Sequence, residues 1–251
     1  MVDEKFKEWA CSLSGCDTRN TDAKTWLCGI EWGGPDEGEN GLINYYENQL
    51  PDEIAKGTYR RNDADYDWAK HQKYSFGKSV AKLYAAYRGH DVHKYETALE
   101  SFDPSELCKM NLYPIAFRHT GGDLWHKFKF DKITKFEDKE LYKIWCFFNR
   151  FPFFAELARK EKPELIICAG VSYLTDFITC FAGQDGLTEP LQVGILKPKS
   201  PNNQKDRRYY WTRLRTGTVL VVIPFFSGSN GLNSYHLLGE MGDRLNQITQ
   251  G

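Results

Sequence analysis

The chain has 251 residues, 41% of them hydrophobic and 27% charged, with 33 basic and 34 acidic side chains giving a net charge of −1. That is enough chain for a well-buried core, and no run approaches the roughly 18 apolar residues of a membrane span. The charged start MVDEKFKEWACS lacks the apolar stretch of a signal peptide, so a cytoplasmic location without membrane partners is expected.

Seven cysteines without a secretion signal point to reduced thiols. Cys28 and Cys168 lie in apolar runs and read as buried fillers. Cys11, Cys16, Cys108 and Cys146 are the one subset considered for an iron–sulfur cluster, and they contain no CxxC pair. The six histidines (His71, His90, His93, His119, His126, His236) form no zinc set by spacing. Neither GxGxxG nor GxxxxGK[ST] occurs, so both common phosphate cradles are absent.

In chain order, Thr25 to Ile30 reads as a first strand, and GGPDEGENG after Trp32 reads as a loop. Apolar residues at helical spacing predict a helix from Asp63 to Tyr87, with Gly89 as its stop. Leu107 to Ile115 reads as a second strand broken by Pro114. An amphipathic helix is expected over Lys139 to Glu161, kinked or broken at Pro152. Glu164 to Ala169 is a third strand, and Ser172 to Phe181 a helix. Leu191 to Leu196 and Arg208 to Leu214 read as a hairpin, Val219 to Ile223 as a strand buried on both faces, and Ser234 to Ile248 as a final helix. Strands alternating with helices predict one three-layer α/β/α sandwich around a mostly parallel four-stranded central sheet, with a basic β-hairpin inserted at about 191–216.

The first strand stops on Gly29-Ile30-Glu31-Trp32-Gly33-Gly34. A carboxylate followed by glycines at a strand's carboxyl end suits a ligand crevice. The other strand ends carry Asn111-Leu112-Tyr113-Pro114, the third-strand stretch Pro163 to Gly170, and Ser227-Gly228-Ser229-Asn230-Gly231-Leu232-Asn233-Ser234. The order and spacing of these four motifs, from about Lys24 to Leu245, resembles the uracil-DNA glycosylase superfamily.

The resemblance implies a monofunctional DNA N-glycosylase. Such an enzyme flips a base and hydrolyses its glycosidic bond without cofactor, metal or covalent intermediate, as a monomer on DNA in repair or antiviral defence. Glu31 takes the place of the aspartate in the family's G-x-D-P-[YG] pattern, where the acid orients water and stabilises the sugar cation. Read from the residues alone, Glu31 also suits a helix cap or a solvent-facing acid. Asn111 corresponds to the base-reading residue, its amide suiting a pyrimidine edge, or serves as a turn residue. Tyr74 and Phe76 stand where the family stacks an aromatic on the base, and otherwise fill core.

Two departures matter. Trp32 and Gly33 replace the family's Pro and Tyr, which predicts room for a base bulkier than uracil, such as glucosylated hydroxymethylcytosine of phage DNA. The family's last motif begins with His, whereas here Ser227, Ser229, Asn230 and loop amides must stabilise the departing base. Leu232 matches the exposed apolar wedge that fills the hole left by a flipped nucleotide, or anchors the loop.

From Ile195 to Gly217, seven cations (Lys197, Lys199, Lys205, Arg207, Arg208, Arg213, Arg215) face one acid, Asp206, an excess of 7 − 1 = 6. Tyr209, Tyr210 and Trp211 are interleaved, which suits a phosphate backbone and stacked bases, or a solvated hairpin. The missing histidine also fits a different function, a catalytically inactive relative that only binds nucleic acid.

Overall fold

The computed structural model describes residues 2–34, 38–57, 65–117, 123–183, 186–199 and 205–251. Parts of the glycine-rich first loop and of the basic hairpin, the start of the helix expected from Asp63, and His119 lie outside them. The strands are β1 (Thr25–Gly29), β2 (Leu107–Asn111), β3 (Leu165–Ala169), β4 (Gln192–Leu196), β5 (Arg207–Arg213) and β6 (Val219–Ile223). The helices are α1 (Glu4–Ala10), α2 (Gly38–Asn44), α3 (Leu50–Lys56), α4 (Trp68–His71), α5 (Ser75–Tyr87), α6 (Tyr95–Leu99), α7 (Asp123–Lys127), α8 (Phe130–Thr134), α9 (Lys139–Glu161), α10 (Leu174–Ala182) and α11 (Tyr235–Gln250).

The protein is α/β, built on one six-stranded mixed sheet in the order β2-β1-β3-β6-β5-β4. β2, β1, β3 and β6 run parallel, and β5 and β4 are antiparallel additions. The expected hairpin is therefore not an insertion beside a four-stranded sheet: it pairs with β6 and lengthens the sheet. β1, β3 and β6 are buried at every position, which is why their sequences are unbroken apolar runs.

Alternate residues feed two cores. Trp26, Cys28, Ile166, Cys168, Leu220 and Val222 pack with residues of α1, α9 and α10, including Phe6, Trp9, Phe154 and Phe177. Leu27, Ile167, Ala169, Val221 and Ile223 face α5 and α11 through Val80, Leu83, Leu238 and Met241. All seven cysteines are free thiols, and all but Cys11 are buried. Among the described residues no helix is long and apolar enough to cross a membrane.

Several elements differ from expectation. The helix predicted from Asp63 is two, α4 and α5, separated by Gln72–Tyr74. Tyr74 is extended (φ −106°, ψ 143°) and starts α5 afresh. Gly38 to Gly41, expected as loop, already belong to α2. α9 runs unbroken through Pro152. The carbonyl that Pro152 leaves without its helical donor is that of Phe148. Phe148 itself is 71% exposed, on the outer face of the helix. β2 ends at Asn111, yet its pairing with β1 goes on past the strands, Leu112 and Tyr113 donating to the carbonyls of Gly29 and Ile30 (both 2.9 Å).

Candidate functional site at the strand ends

The parallel strands deliver Gly29–Glu31, Asn111–Pro114, Gly170 and Phe225–Asn230 to the carboxyl end of the sheet. Asn111 is buried, and its Nδ2 donates to the Gly15 carbonyl (2.7 Å). A carbonyl only accepts, so this contact fixes which way round the amide lies. Oδ1 then sits over Gly29, where a Cβ would come within 2.5 Å of it. The glycine leaves room for the amide by contact rather than by backbone angle, since an alanine there would push Oδ1 aside. Oδ1 accepts no hydrogen bond among the described residues, which leaves an oriented acceptor above the strand ends.

The loop that holds Asn111 is itself held by Arg150, a wholly buried side chain of α9. Its Nε donates to the Leu112 carbonyl (2.9 Å), and its other nitrogens to the carbonyls of Ala10, Ser12 (3.0 Å), Ser14 (2.7 Å) and Asn111 (3.1 Å). No carboxylate pairs with it among the described residues, so neutral acceptors replace the water lost on burial. Gly15, at φ +72°, lets this loop press on Pro114, whose carbonyl oxygen would lie 2.6 Å from a Cβ. Arg150 thus ties both the backbone of Asn111 and the loop that orients its amide. Sequence reasoning missed it, although the signal was there: Tyr142, Cys146, Arg150 and Phe154 recur every four residues on the buried face of α9.

Glu31 does not face an open crevice as expected. Its carboxylate is 3% exposed and pairs with Lys139, the 4% exposed first residue of α9, at 2.8 Å. Burial pushes the Glu31 carboxyl up against the pull of Lys139, and burial pushes the Lys139 ammonium down against the pull of Glu31. The ammonium also lies 3.7 Å from the centre of the Phe117 ring. Glu31 Oε1 takes the ion pair, while Oε2 is buried with no hydrogen-bond partner among the described residues. A Cβ on neighbouring Gly33 would meet nothing within 4 Å, whereas Trp32 is buried against Tyr45 (5.0 Å) and donates to the Pro114 carbonyl. Of this loop's expected wall residues, Trp32 is packed away, and Gly33 has no neighbour within 4 Å among the described residues.

Phe76, near the start of α5, packs on Phe225 (5.8 Å) and Phe226 (5.1 Å). It also takes the Lys109 ammonium at 5.1 Å, while Lys109 pairs with Asp17. Lys109 lies two residues before Asn111, so both point to the same face of β2. Phe76, Asn111 and the loop after β6 are thereby brought to one face, with Tyr74 37% exposed nearby. Glu31 turns the other way, toward α9. Ser227, Ser229 and Asn230 form an exposed tip beyond Phe226.

Leu232, expected as an exposed wedge, is wholly buried in the α5/α11 core, its N–H donating to the Phe225 carbonyl (2.8 Å). The apolar side chain anchors the loop because burial there removes it from water. Two expected phosphate ligands are also structural. Arg207 is 2% exposed and donates to the carbonyls of Gly231 (3.0 Å) and Ser229 (2.7 Å). Arg213 is half-buried and donates to the carbonyls of Gly217 and Ile248. Lys197, Lys199, Lys205, Arg208 and Arg215 are exposed. Among the described residues, no group of three or more His, Cys, Asp or Glu side chains is placed to hold a metal ion, the four cysteines considered for a cluster included.

No family model, no curated protein and no solved structure matches the chain.

Proposed function

We propose that the chain is a DNA glycosylase that flips a base to the carboxyl ends of β1 and β2 and hydrolyses its N-glycosidic bond. The observation that carries this reading is the Asn111 amide, clamped by Gly15 so that Oδ1, with no donor among the described residues, stands as an acceptor over Gly29. Such an acceptor takes an N–H from the Watson–Crick edge of a base. The Phe76 ring on the same face supplies a stacking surface, worth about 1–3 kcal/mol per base, against a flipping cost of a few kcal/mol.

Glu31 carries the chemistry in this reading. Lys139 holds one carboxylate oxygen, and because Glu31 lies buried on the side away from Asn111, this reading requires the flipped nucleotide to open that side, so that Oε2, without a partner among the described residues, takes the water that attacks C1′. The bond from C1′ to the base nitrogen breaks with its electron pair going to the base, and the water's proton passes to the carboxylate. A carboxyl raised by burial suits a proton acceptor. Ser227, Ser229 and Asn230 donate to the departing base, and the space beside Gly33 admits a bulky one such as glucosylated hydroxymethylcytosine. Exposed Lys197, Lys199 and Arg208 hold the phosphate backbone of DNA.

A second reading, a nucleic-acid-binding relative without catalysis, is favoured by one observation: Lys139 already neutralises Glu31 in a buried pair. The two separate by measuring base release from uracil-containing and mismatched duplexes, single strands, and phage DNA carrying glucosylated hydroxymethylcytosine, with Glu31→Gln beside the unaltered chain. Abasic sites that vanish in the variant establish the glycosylase. Salt-sensitive binding without abasic sites on any of these DNAs establishes the binding protein.

A further inference from the structure

β4 is the last strand of the sheet, and its only strand partner is β5. Among the described residues no other backbone group bonds to it. Just past its end, the Lys197 carbonyl accepts from His236 (3.1 Å). The opposite edge is closed: the Lys109 carbonyl of β2 accepts from the Asp17 N–H (3.0 Å), and the Lys109 N–H donates to the Thr18 hydroxyl (2.9 Å). Open edges are commonly guarded by charged side chains that keep other strands away. From Leu191 to Leu196, LQVGIL, there is no charge.

The two faces of β4 differ. Leu196 is wholly buried, and the Tyr209 ring lies over Gly194, where a Cβ would come within 2.0 Å of it. Val193 and Ile195 alternate to the other face, where they are 57% and 48% exposed. Tyr210 and Arg208 of β5 stand opposite them there. Two β-branched side chains in water beside an unpaired strand edge are best met by a strand that brings apolar residues of its own.

We infer that this strand is β4 of a second copy of the chain, paired antiparallel about a two-fold axis between the two Gly194 residues. Under two-fold symmetry every contact occurs twice. Val193 then stands opposite Ile195 of the second copy, and Ile195 opposite its Val193, so the exposed apolar side chains cover one another. Pro190 and Pro198 each lie four residues from Gly194 and end the ladder symmetrically, since neither can donate an N–H. Counted outward in the same register, exposed Glu189 faces exposed Lys199 of the second copy, an opposite pair of charges at each end. A peptide of another protein could pair with the backbone of this edge. The symmetry about Gly194, in apolar residues, prolines and charges alike, is what singles out a second copy. The interface is independent of the glycosylase reading.

The test is sedimentation velocity on the whole chain from about 1 to about 500 µM. Two strands of five residues make a small interface, so a dimer with a dissociation constant of about 10 µM is expected. Val193→Lys with Ile195→Lys sets like charges opposite each other twice and should weaken the dimer about a hundredfold. Val193→Lys with Ile195→Glu sets opposite charges in the same register and should bind at least about tenfold tighter than the double lysine variant. Neither variant should shift the melting temperature, because both side chains are exposed. In the unaltered chain, β4 amides should exchange more slowly at the high concentration than at the low. A dimer that the two lysines leave intact, or equal weakening by both variants, overturns the inference. So does β4 exchange indifferent to concentration, or a chain that stays monomeric throughout, which leaves the edge to a different partner.

Discussion

Replacing Lys139 with Met removes the ammonium 2.8 Å from a carboxylate that is only 3% exposed. Water cannot take over its role. Stripping one partner from a buried pair costs about 3–5 kcal/mol. For a chain of this size each kcal/mol moves the melting temperature by about 2–4 °C, so K139M should melt about 6–20 °C lower. The sign of its pH dependence follows from Glu31. Burial already raises that carboxyl, and the variant loses the strongest influence opposing the rise. The folded state then binds the proton more tightly than the unfolded chain does, so acid favours folding. The deficit of K139M should shrink as pH falls from about 8 toward the ordinary carboxylate range near 4.5. Adding E31Q to K139M removes the stranded charge and should recover most of the loss at neutral pH. Thermal unfolding of the three proteins by circular dichroism across this range reads all of it. A K139M variant as stable as the unaltered chain at neutral pH, or a deficit indifferent to pH, would refute the buried pair.

Further outcomes follow from other contacts. Arg150→Met strands the carbonyls of Ala10, Ser12, Ser14, Asn111 and Leu112. At about 1.5 kcal/mol or more for each charge-assisted bond lost, urea unfolding should show a destabilisation of several kcal/mol. His71 is pushed down from 6.5 to about 4 by burial and by Lys109. NMR should show it neutral throughout the physiological range. Stability should fall as acid protonates the unfolded chain between 6.5 and about 4, while the folded ring resists. Lys197, Lys199 and Arg208, changed together to Ala, should lower the slope of log affinity for DNA against log salt by up to about 3 × 0.9 = 2.7. Arg207→Ala should instead loosen the loop after β6, measured as faster amide exchange at Gly231 and Leu232.

How far the fold could be read from the sequence depended on how local each signal was. β1, β3 and β6 are buried on both faces and announce themselves as apolar runs, and α9 and α11 show their spacing over many turns. The helices α1, α2, α3, α6, α7 and α8 were not anticipated, because each is a short piece of two turns or fewer, and α2 begins among glycines that read as a loop. The site was legible as a set of strand ends but not as geometry. That Asn111 is clamped by Gly15, that Glu31 is covered by Lys139 from over a hundred residues away, and that Leu232 and Arg207 turn inward are all tertiary facts. A charge on paper does not say which way it points: Arg207 and Arg208 are neighbours on β5, and alternation along the strand buries one and exposes the other.

Reading of a base above Gly29 by Asn111 is tested most directly by Gly29→Ala, assayed for single-turnover base release on whichever DNA the unaltered chain acts on. The new Cβ would come within 2.5 Å of Asn111 Oδ1 and displace only that acceptor. Misplacement on the ångström scale costs about a hundredfold in rate. Base release about a hundredfold slower is expected, with salt-sensitive DNA affinity and the circular dichroism spectrum unchanged. A folded Gly29→Ala protein that releases the base as fast as the unaltered chain would contradict the site.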